Sequence, residues 1–382
     1  MTNYRFGTFS FVLRTSYFVL ALAASAASAQ QLRTLGKAEA PRFELQEITW
    51  PEAPGDADIC LWKDDKYAAI SLTIDDNCRP DHDWWLEQAA KHGFKLTWFV
   101  VTDGVVKGQN KGFNGTWADW QRLADAGHSI QSHTTNHRSA KKGEPPIPDE
   151  DVHAMYRDSL AAINSNITNN VACCIAYPSG EAHEEIAAQY AIACRGVYGV
   201  PNAARKINYL NVNEGNYAQG YINVLLGEEA DEPKWLNMKG RPLRRGWCAA
   251  LHHYIHHGHN KEEVAASVAA AEAKLDNLAK YKDRIWIDTF PATAKYGQER
   301  DSATLKTTSV DAMRIALSLT DLMDDKLFDE PLTLKVRLPD DWKTVRATQG
   351  GKPIKAVFLS HDDHPYALVD AVPDRGEIAL VP

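Results

Sequence analysis

The sequence predicts an α/β protein with a parallel sheet that is covered by helices and is either open or closed into a barrel, followed by a small all-β module. Two observations predict the sheet: short, almost continuously apolar runs recur along the chain, and segments of helical period separate them. Strands that are covered by helices on both faces have this pattern. The third observation is a change near residue 326, after which short strand-like runs are separated only by turns.

The predicted elements follow one another in a regular order. Strands are expected at 66–75, 95–102, 128–133, 171–178, 246–253 and 284–290, and helices at 80–93, 116–127, 149–166, 181–190, 260–281 and 291–301. Helix-end signals support the helices, since Thr116 suits an N-cap, Asn260 and Glu263 form a capping box, and Pro291 suits a first turn. Further strands are expected at 331–342, 343–349, 355–360, 366–372 and 377–382.

The first 29 residues have the features of a secretory signal peptide. Arg5 and Arg14 precede an apolar stretch at 17–27, and small residues favour cleavage after Ala29. The stretch is too short to span a membrane, and no later apolar run is long enough. We therefore expect a secreted or periplasmic protein without a membrane span in the mature chain. A lead-in at 30–65 would precede the main domain at 66–325 and the β-module at 326–382.

Charge and cysteine content exclude two classes of function. The net charge of −8 argues against a broad basic surface that binds nucleic acid. Six cysteines in an exported chain permit disulfides, but the sequence leaves their pairing open. No two of them have the C-x-x-C spacing of a cysteine-based zinc site.

Polar residues gather where the predicted strands end. The buried run "SLTIDDN" ends on the adjacent carboxylates of Asp75 and Asp76, and "HSIQSHTTNH" places His133 and His137 four residues apart. The carboxyl ends of parallel strands meet at one edge, where functional residues of such folds lie. Two imidazoles and one carboxylate form a three-ligand metal site, and a bound cation would explain why two like charges are adjacent. We expect one helical turn to bring both histidines to one side.

These segments resemble the first two motifs of the polysaccharide deacetylase (NodB-homology) family, carbohydrate esterase family 4. "LTIDDN" matches a first motif that ends in Asp-Asp, and "HTTNH" matches His-[Ser/Thr]-x-x-His. The resemblance spans roughly residues 60–300 and implies that 66–325 is a NodB-like catalytic domain, whose parallel sheet closes into a distorted (β/α)7-type barrel. It further implies that Asp75 is the catalytic base and that Asp76, His133 and His137 hold a divalent metal, most commonly zinc.

The third family motif is incomplete here. The family often has an arginine two residues before a proline, where it orients the base, whereas "AYPSG" has Ala176 at that position. The resemblance leaves the partner of Asp75 open. It implies that Tyr177, Pro178 and Ser179 line the site, where a backbone N–H could stabilise an oxyanion.

The late family motif, Leu-x-His, matches Leu251-His252-His253. The resemblance implies that His253 is the general acid that protonates the leaving group. Neighbouring side chains on a strand point to opposite faces, so only one of His252 and His253 can face the site.

The resemblance implies an exported metal-dependent hydrolase that removes acetyl groups from a carbohydrate. N-acetyl amino-sugar glycans are the first expected substrate, and O-acetylated polysaccharides such as xylan are the second. The missing arginine keeps an alternative open, in which the chain binds carbohydrate on a catalytically degenerate deacetylase scaffold.

Overall fold

The computed structural model describes residues 48–140, 143–204, 206–228 and 243–382. The expected signal peptide and the first half of the lead-in lie outside the described residues. Within the described ranges, no helix is both long and apolar enough to cross a bilayer.

Eight parallel strands form the sheet that carries the predicted site. They are β2 (Ala68–Ile74), β3 (Leu96–Val100), β4 (Ser129–Ser132), β5 (Cys174–Ala176), β6 (Ala193–Arg195), β7 (Glu214–Gly215), β8 (Trp247–His252) and β9 (Ile285–Ile287). The strand order is β6-β5-β4-β3-β2-β8-β7, with β9 also paired to β2. A parallel bridge between Arg195 and Val212 joins the end of β6 to the segment before β7, so the sheet nearly closes into the predicted barrel.

Nine helices are found in the described part of the chain, mostly between these strands. They are α1 (His82–His92), α2 (Thr102–Val106), α3 (Lys111–Asn114), α4 (Trp117–Asp125), α5 (Asp149–Asn166), α6 (Glu184–Ala187), α7 (Gln219–Leu226), α8 (Lys261–Ala279) and α9 (Phe290–Ser302). The predicted caps are present: Thr116 and Asp119 form a capping box before α4, and the Asn260 side chain accepts from Glu263 N–H before α8.

Two antiparallel sheets form the all-β part. One sheet has the order β1-β12-β16-β15, and the other has the order β10-β11-β17-β13-β14. Their strands are β1 (Ala57–Ile59), β10 (Thr304–Asp311), β11 (Arg314–Thr320), β12 (Leu332–Arg337), β13 (Arg346–Gln349), β14 (Lys352–Ile354), β15 (Ala356–His361), β16 (His364–Ala371) and β17 (Ile378–Val381).

These sheets include more of the chain than the expected module at 326–382. The β10–β11 hairpin begins at Thr304, and only Ala303 separates it from the end of α9, so no linker marks the change from helix to strand. β1, from the expected lead-in, pairs with β12 through Ala57 and Val336. A contact between such distant segments leaves no local pattern in the sequence.

A shared hydrophobic core joins the barrel to the antiparallel sheets. Trp62, Trp247 and Trp286 are buried together with Leu332 and Leu334 of β12. The Trp62 indole N–H also donates to the carbonyl oxygen of Arg245 at 2.7 Å. All six cysteines are buried, and none is in a disulfide.

Removal of the Trp62 side chain should destabilise the whole protein. A Trp62→Ala substitution leaves a cavity in the shared core, which we expect to lower the free energy of unfolding by about 3–5 kcal/mol. Urea unfolding measures this loss. Trp117→Ala is the matched control because Trp117 is only half-buried, at the start of α4. An equal loss in both variants would contradict the role given to Trp62.

Candidate active site

Asp75 and Asp76 lie where β2 breaks. Asp75 N–H still donates to the carbonyl oxygen of His252 at 2.9 Å, as in a continuing strand. The next residues, Asp76, Asn77 and Cys78, have left-handed φ values of 60°, 64° and 41°. Such conformations are costly outside glycine and persist only where the surroundings impose them. Because the strand ends here, the side chains of Asp75 and Asp76 do not have to point to opposite faces of the sheet, as neighbours in a regular strand do.

The Asn77 side chain holds this left-handed turn. Its Oδ1 accepts from Val101 N–H at 2.7 Å, and its Nδ2 donates to the Val101 carbonyl oxygen at 3.1 Å and to Asn114 Oδ1 at 3.0 Å. The amide thus fixes the turn to the end of β3 and to α3. These bonds offset part of the conformational cost of the turn.

His133 and His137 are brought together by a turn and not by the helical turn predicted from their spacing. His133 follows β4 directly, and Thr134 and His137 have left-handed φ values of 67° and 54°. The two imidazole centroids are 4.5 Å apart, with an angle of 82° between the rings. The expected proximity holds, although the local conformation differs.

Asp76, His133 and His137 form a cluster of three potential ligand atoms within 4.8 Å of one another. Asp76 Oδ1 lies 3.6 Å from Nε2 of His133 and 3.5 Å from Nε2 of His137. Donor atoms about 2.0–2.1 Å from a tetrahedral zinc ion lie about 3.4 Å from one another. The donor set and its spacing therefore fit a divalent cation, and Asp75 is outside the group.

The surroundings of His133 favour its ligand form. Its Nδ1 lies 2.9 Å from the carbonyl oxygen of Ala176, so Nδ1–H donates and the Nε2 lone pair is on the side of Asp75 and Asp76. Burial lowers the pKa of His133 below its ordinary value, and the neighbouring Asp75 carboxylate opposes that shift. A neutral imidazole with a fixed tautomer is the form that binds metal.

Asp75 is held by an arginine that the sequence analysis did not single out. The Arg195 guanidinium, from the end of β6, donates through Nη2 to Asp75 Oδ2. Asp75 is 3% exposed, and its Oδ1 has no hydrogen-bond partner among the described residues. Glu214, on β7, is also near: burial raises its pKa, and Arg195 opposes the shift. The sequence signal for this role was the arginine that ends the apolar run "AIACR", since a charged residue at the carboxyl end of a buried strand lies at the same edge as Asp75.

The two histidines that end β8 differ sharply in their surroundings. The His253 side chain is 57% exposed, and its Nε2 lies 3.7 Å from Asp76 Oδ2, whereas His133 lies near the other oxygen, Oδ1. The His252 ring packs against Trp85 at 5.0 Å and Tyr217 at 5.3 Å between centroids. Burial lowers the pKa of His252 to about 3, so this ring is neutral near pH 7.

Tyr177 does not face the site as expected. Its side chain is buried, its hydroxyl donates to the Leu210 carbonyl oxygen at 2.7 Å, and its N–H donates to the Arg195 carbonyl oxygen at 3.0 Å. Neither donor is therefore free for an oxyanion. Pro178 is buried and has no N–H. Ser179 is exposed, and its Oγ accepts a hydrogen bond of 3.1 Å from Oγ of Ser139, which follows His137 by two residues.

Fold and site define a parallel α/β barrel with a two-histidine, one-carboxylate centre at the carboxyl ends of its strands. Residues 63–194 match the polysaccharide deacetylase family. The match supports carbohydrate deacetylation as the class of activity. Members of carbohydrate esterase family 4 generally use a divalent metal, and some are pseudoenzymes.

One curated relative matches nearly the whole chain. A gellan lyase from Bacillus sp. is 38% identical over 352 residues, which cover 87% of this chain and 14% of that protein. The chain therefore spans only a small part of the length of this relative.

Solved structures of deacetylases overlap parts of the chain. The Streptococcus pyogenes deacetylase PplD is 24% identical, with 37% of this chain and 62% of that one covered and a TM-score of 0.33. The Bc1960 peptidoglycan N-acetylglucosamine deacetylase is 18% identical, with 59% and 87% covered and a TM-score of 0.36. A carbohydrate esterase family 4 pseudoenzyme from Bacillus anthracis is 14% identical, with 60% and 66% covered and a TM-score of 0.36.

Removal of one ligand should abolish stoichiometric metal binding. We expect wild-type protein dialysed against zinc to retain one ion and His133→Ala to retain none, because the remaining two side chains cannot complete the site. Elemental analysis after gel filtration measures the content. His153→Ala is the control, since His153 lies on α5 and contacts Tyr190. One zinc ion retained by His133→Ala would refute the ligand assignment.

Proposed function

We propose that this protein is an exported, metal-dependent deacetylase that hydrolyses acetyl groups on carbohydrates. The observation that carries the proposal is the difference between two neighbouring carboxylates: Asp76 lies near both histidines, whereas Asp75 lies near His133 alone and is paired with Arg195. One carboxylate is thus placed to bind a cation while the other is free to exchange a proton.

Asp76, His133 and His137 would hold the metal, and zinc suits two imidazoles and one carboxylate. A divalent cation bound there supplies Lewis-acid polarisation of the acetyl carbonyl and lowers the pKa of a coordinated water. Three protein ligands leave open positions, as catalytic sites require.

Asp75 acts as the general base. Its Oδ2 is engaged by Arg195 and lies 3.5 Å from Nε2 of His133, while Oδ1 has no partner among the described residues. Oδ1 can therefore accept the proton of the water that attacks the acetyl carbon. The Arg195 guanidinium supplies a positive charge beside this buried carboxylate.

His253 acts as the general acid. Its exposed ring, next to Asp76, can donate a proton to the leaving nitrogen or oxygen of the sugar. His252 does not suit this role, because its ring is packed against Trp85 and Tyr217 and its lowered pKa of about 3 leaves it a neutral imidazole near pH 7. An amine leaves poorly without protonation, so an acid beside the site suits N-acetyl groups first and O-acetyl esters second.

We also propose export, based on the signal-peptide features of residues 1–29. An acetylated glycan outside the cytoplasm is the expected partner, and the net charge of −8 disfavours nucleic acid. The name of the Bacillus relative gives a polysaccharide as that protein's own substrate, which is compatible with a glycan ligand here.

A carbohydrate-binding protein on a degenerate scaffold is the second candidate. Ala176 favours it, because the arginine that the family often has at this position is missing. The Arg195 guanidinium at Asp75 favours the enzyme instead, since the base still has a charged partner.

Acetate release separates these two functions. We expect zinc-loaded wild type to free acetate from N-acetylated chito-oligosaccharides, and more slowly from acetylated xylan. Asp75→Asn keeps the side-chain shape but removes the base, so turnover should fall at least ~100-fold at unchanged zinc content. Asp103→Asn, at an exposed carboxylate paired with Lys107, is the matched control. Glycan retention without acetate release by the wild type would establish the binding function.

Substitution of each β8 histidine tests the identity of the acid. We expect His253→Gln to lower kcat at least ~100-fold while the zinc content and the unfolding midpoint stay near wild type. His252→Gln should mainly reduce stability, because it changes a ring packed between two aromatic residues. The opposite ranking of kcat would show that His252 faces the substrate.

A further inference from the structure

We propose that Arg195 is the positioning residue of the catalytic base, and that it performs from the neighbouring strand the task of the arginine missing at Ala176. This inference rests on the proposed deacetylase function. The two positions are linked directly, since Ala176 on β5 and Arg195 on β6 are register partners in the parallel sheet.

The register explains how the exchange is possible. Side chains of register partners in a sheet point to the same face, and the small Ala176 leaves that face open in front of β6. The Arg195 side chain extends into the barrel, where its guanidinium lies 5.4 Å from the centroid of the Phe99 ring. Phe99 lies on β3, which is next to β2, so the Arg195 side chain packs on its ring between β6 and Asp75.

The contacts of Arg195 fix one oxygen of the base and leave the other free. Nη2 donates to Asp75 Oδ2, and Nη1 donates to the Gly196 carbonyl oxygen at 3.0 Å. Both side chains are almost fully buried, so this is a desolvated ion pair. Guanidinium geometry restricts the carboxylate plane more strongly than a point charge does.

A purely structural ion pair explains these contacts less well. Desolvation offsets most of the attraction in a buried pair, so stability alone is a weak reason for it. A structural carboxylate also has both oxygens hydrogen-bonded as a rule, whereas Asp75 Oδ1 is buried without a partner among the described residues. One fixed oxygen and one free oxygen are what a general base requires.

A double-mutant cycle between Arg195 and Asp75 tests the proposal. We expect Arg195→Ala to lower kcat by about 10–100-fold with KM changed less than about twofold. The variant keeps the side chains that bind substrate and metal, but the Asp75 carboxylate is no longer held in one orientation. In the Asp75→Asn background, the same substitution should change kcat less than about twofold. Zinc content, measured on each sample, should stay at the wild-type level.

Two further variants complete the design. Arg195→Lys should recover part of kcat, since it returns the charge without the planar fork. The double variant Arg195→Ala/Ala176→Arg restores the arrangement common in the family, so its kcat should exceed that of Arg195→Ala. Its kcat should also exceed that of Ala176→Arg alone, because the single variant places two guanidinium groups near one carboxylate.

The outcomes are distinguishable. An active wild type with an equally active Arg195→Ala overturns the role of Arg195 and leaves the deacetylase function intact. If Arg195→Ala lowers kcat by the same factor in the wild-type and the Asp75→Asn backgrounds, Arg195 acts only on the fold, which also overturns the proposal. A wild type that releases no acetate refutes the deacetylase function and this inference together.

Discussion

The structure depends on the need to compensate two adjacent carboxylates at the end of one buried strand. Asp75 and Asp76 would repel each other if both faced the same solvent-poor edge. The chain leaves the strand at Asp76, where a left-handed turn begins. Asp75 pairs with the guanidinium of Arg195, and Asp76 lies beside two imidazoles, a donor set that suits a cation. Asp75 thus has a positive counterpart, and a bound cation would supply one for Asp76.

Closure of the barrel brings the two carboxylates to their partners. β6 is at one end of the strand order, and β2 is four strands away. Because the sheet curves, the end of β6 returns to the side of β2, where Arg195 contacts Asp75 and lies near the Phe99 ring. The carbonyl of Ala176, on the strand between, fixes the tautomer of His133. The strand register therefore couples the base, its arginine and a metal ligand, so a shift of one residue would misplace all three.

The sequence allowed prediction of whatever depends on local pattern. The apolar period of β2 and the spacing of His133 and His137 were sufficient to predict a parallel sheet covered by helices and a cluster of polar groups at one edge, and the caps at Thr116 and Asn260 gave the helix starts. Contacts between distant segments were not predictable. The pairing of β1 with β12, the early start at Thr304 and the reach of Arg195 to Asp75 depend on closure of the fold. The expectation that Tyr177 lines the site was not met, because its hydroxyl donates to the buried carbonyl oxygen of Leu210.

Diffraction at the zinc absorption edge, from crystals equilibrated with zinc, tests the central claim that the two carboxylates have separate partners. The account predicts one strong anomalous peak about 2.0–2.2 Å from Nε2 of His133, Nε2 of His137 and a carboxylate oxygen of Asp76. Asp75 should remain on Arg195 and outside the coordination shell. A peak coordinated by Asp75 in place of Asp76, or one that does not touch the two histidines, would contradict the account.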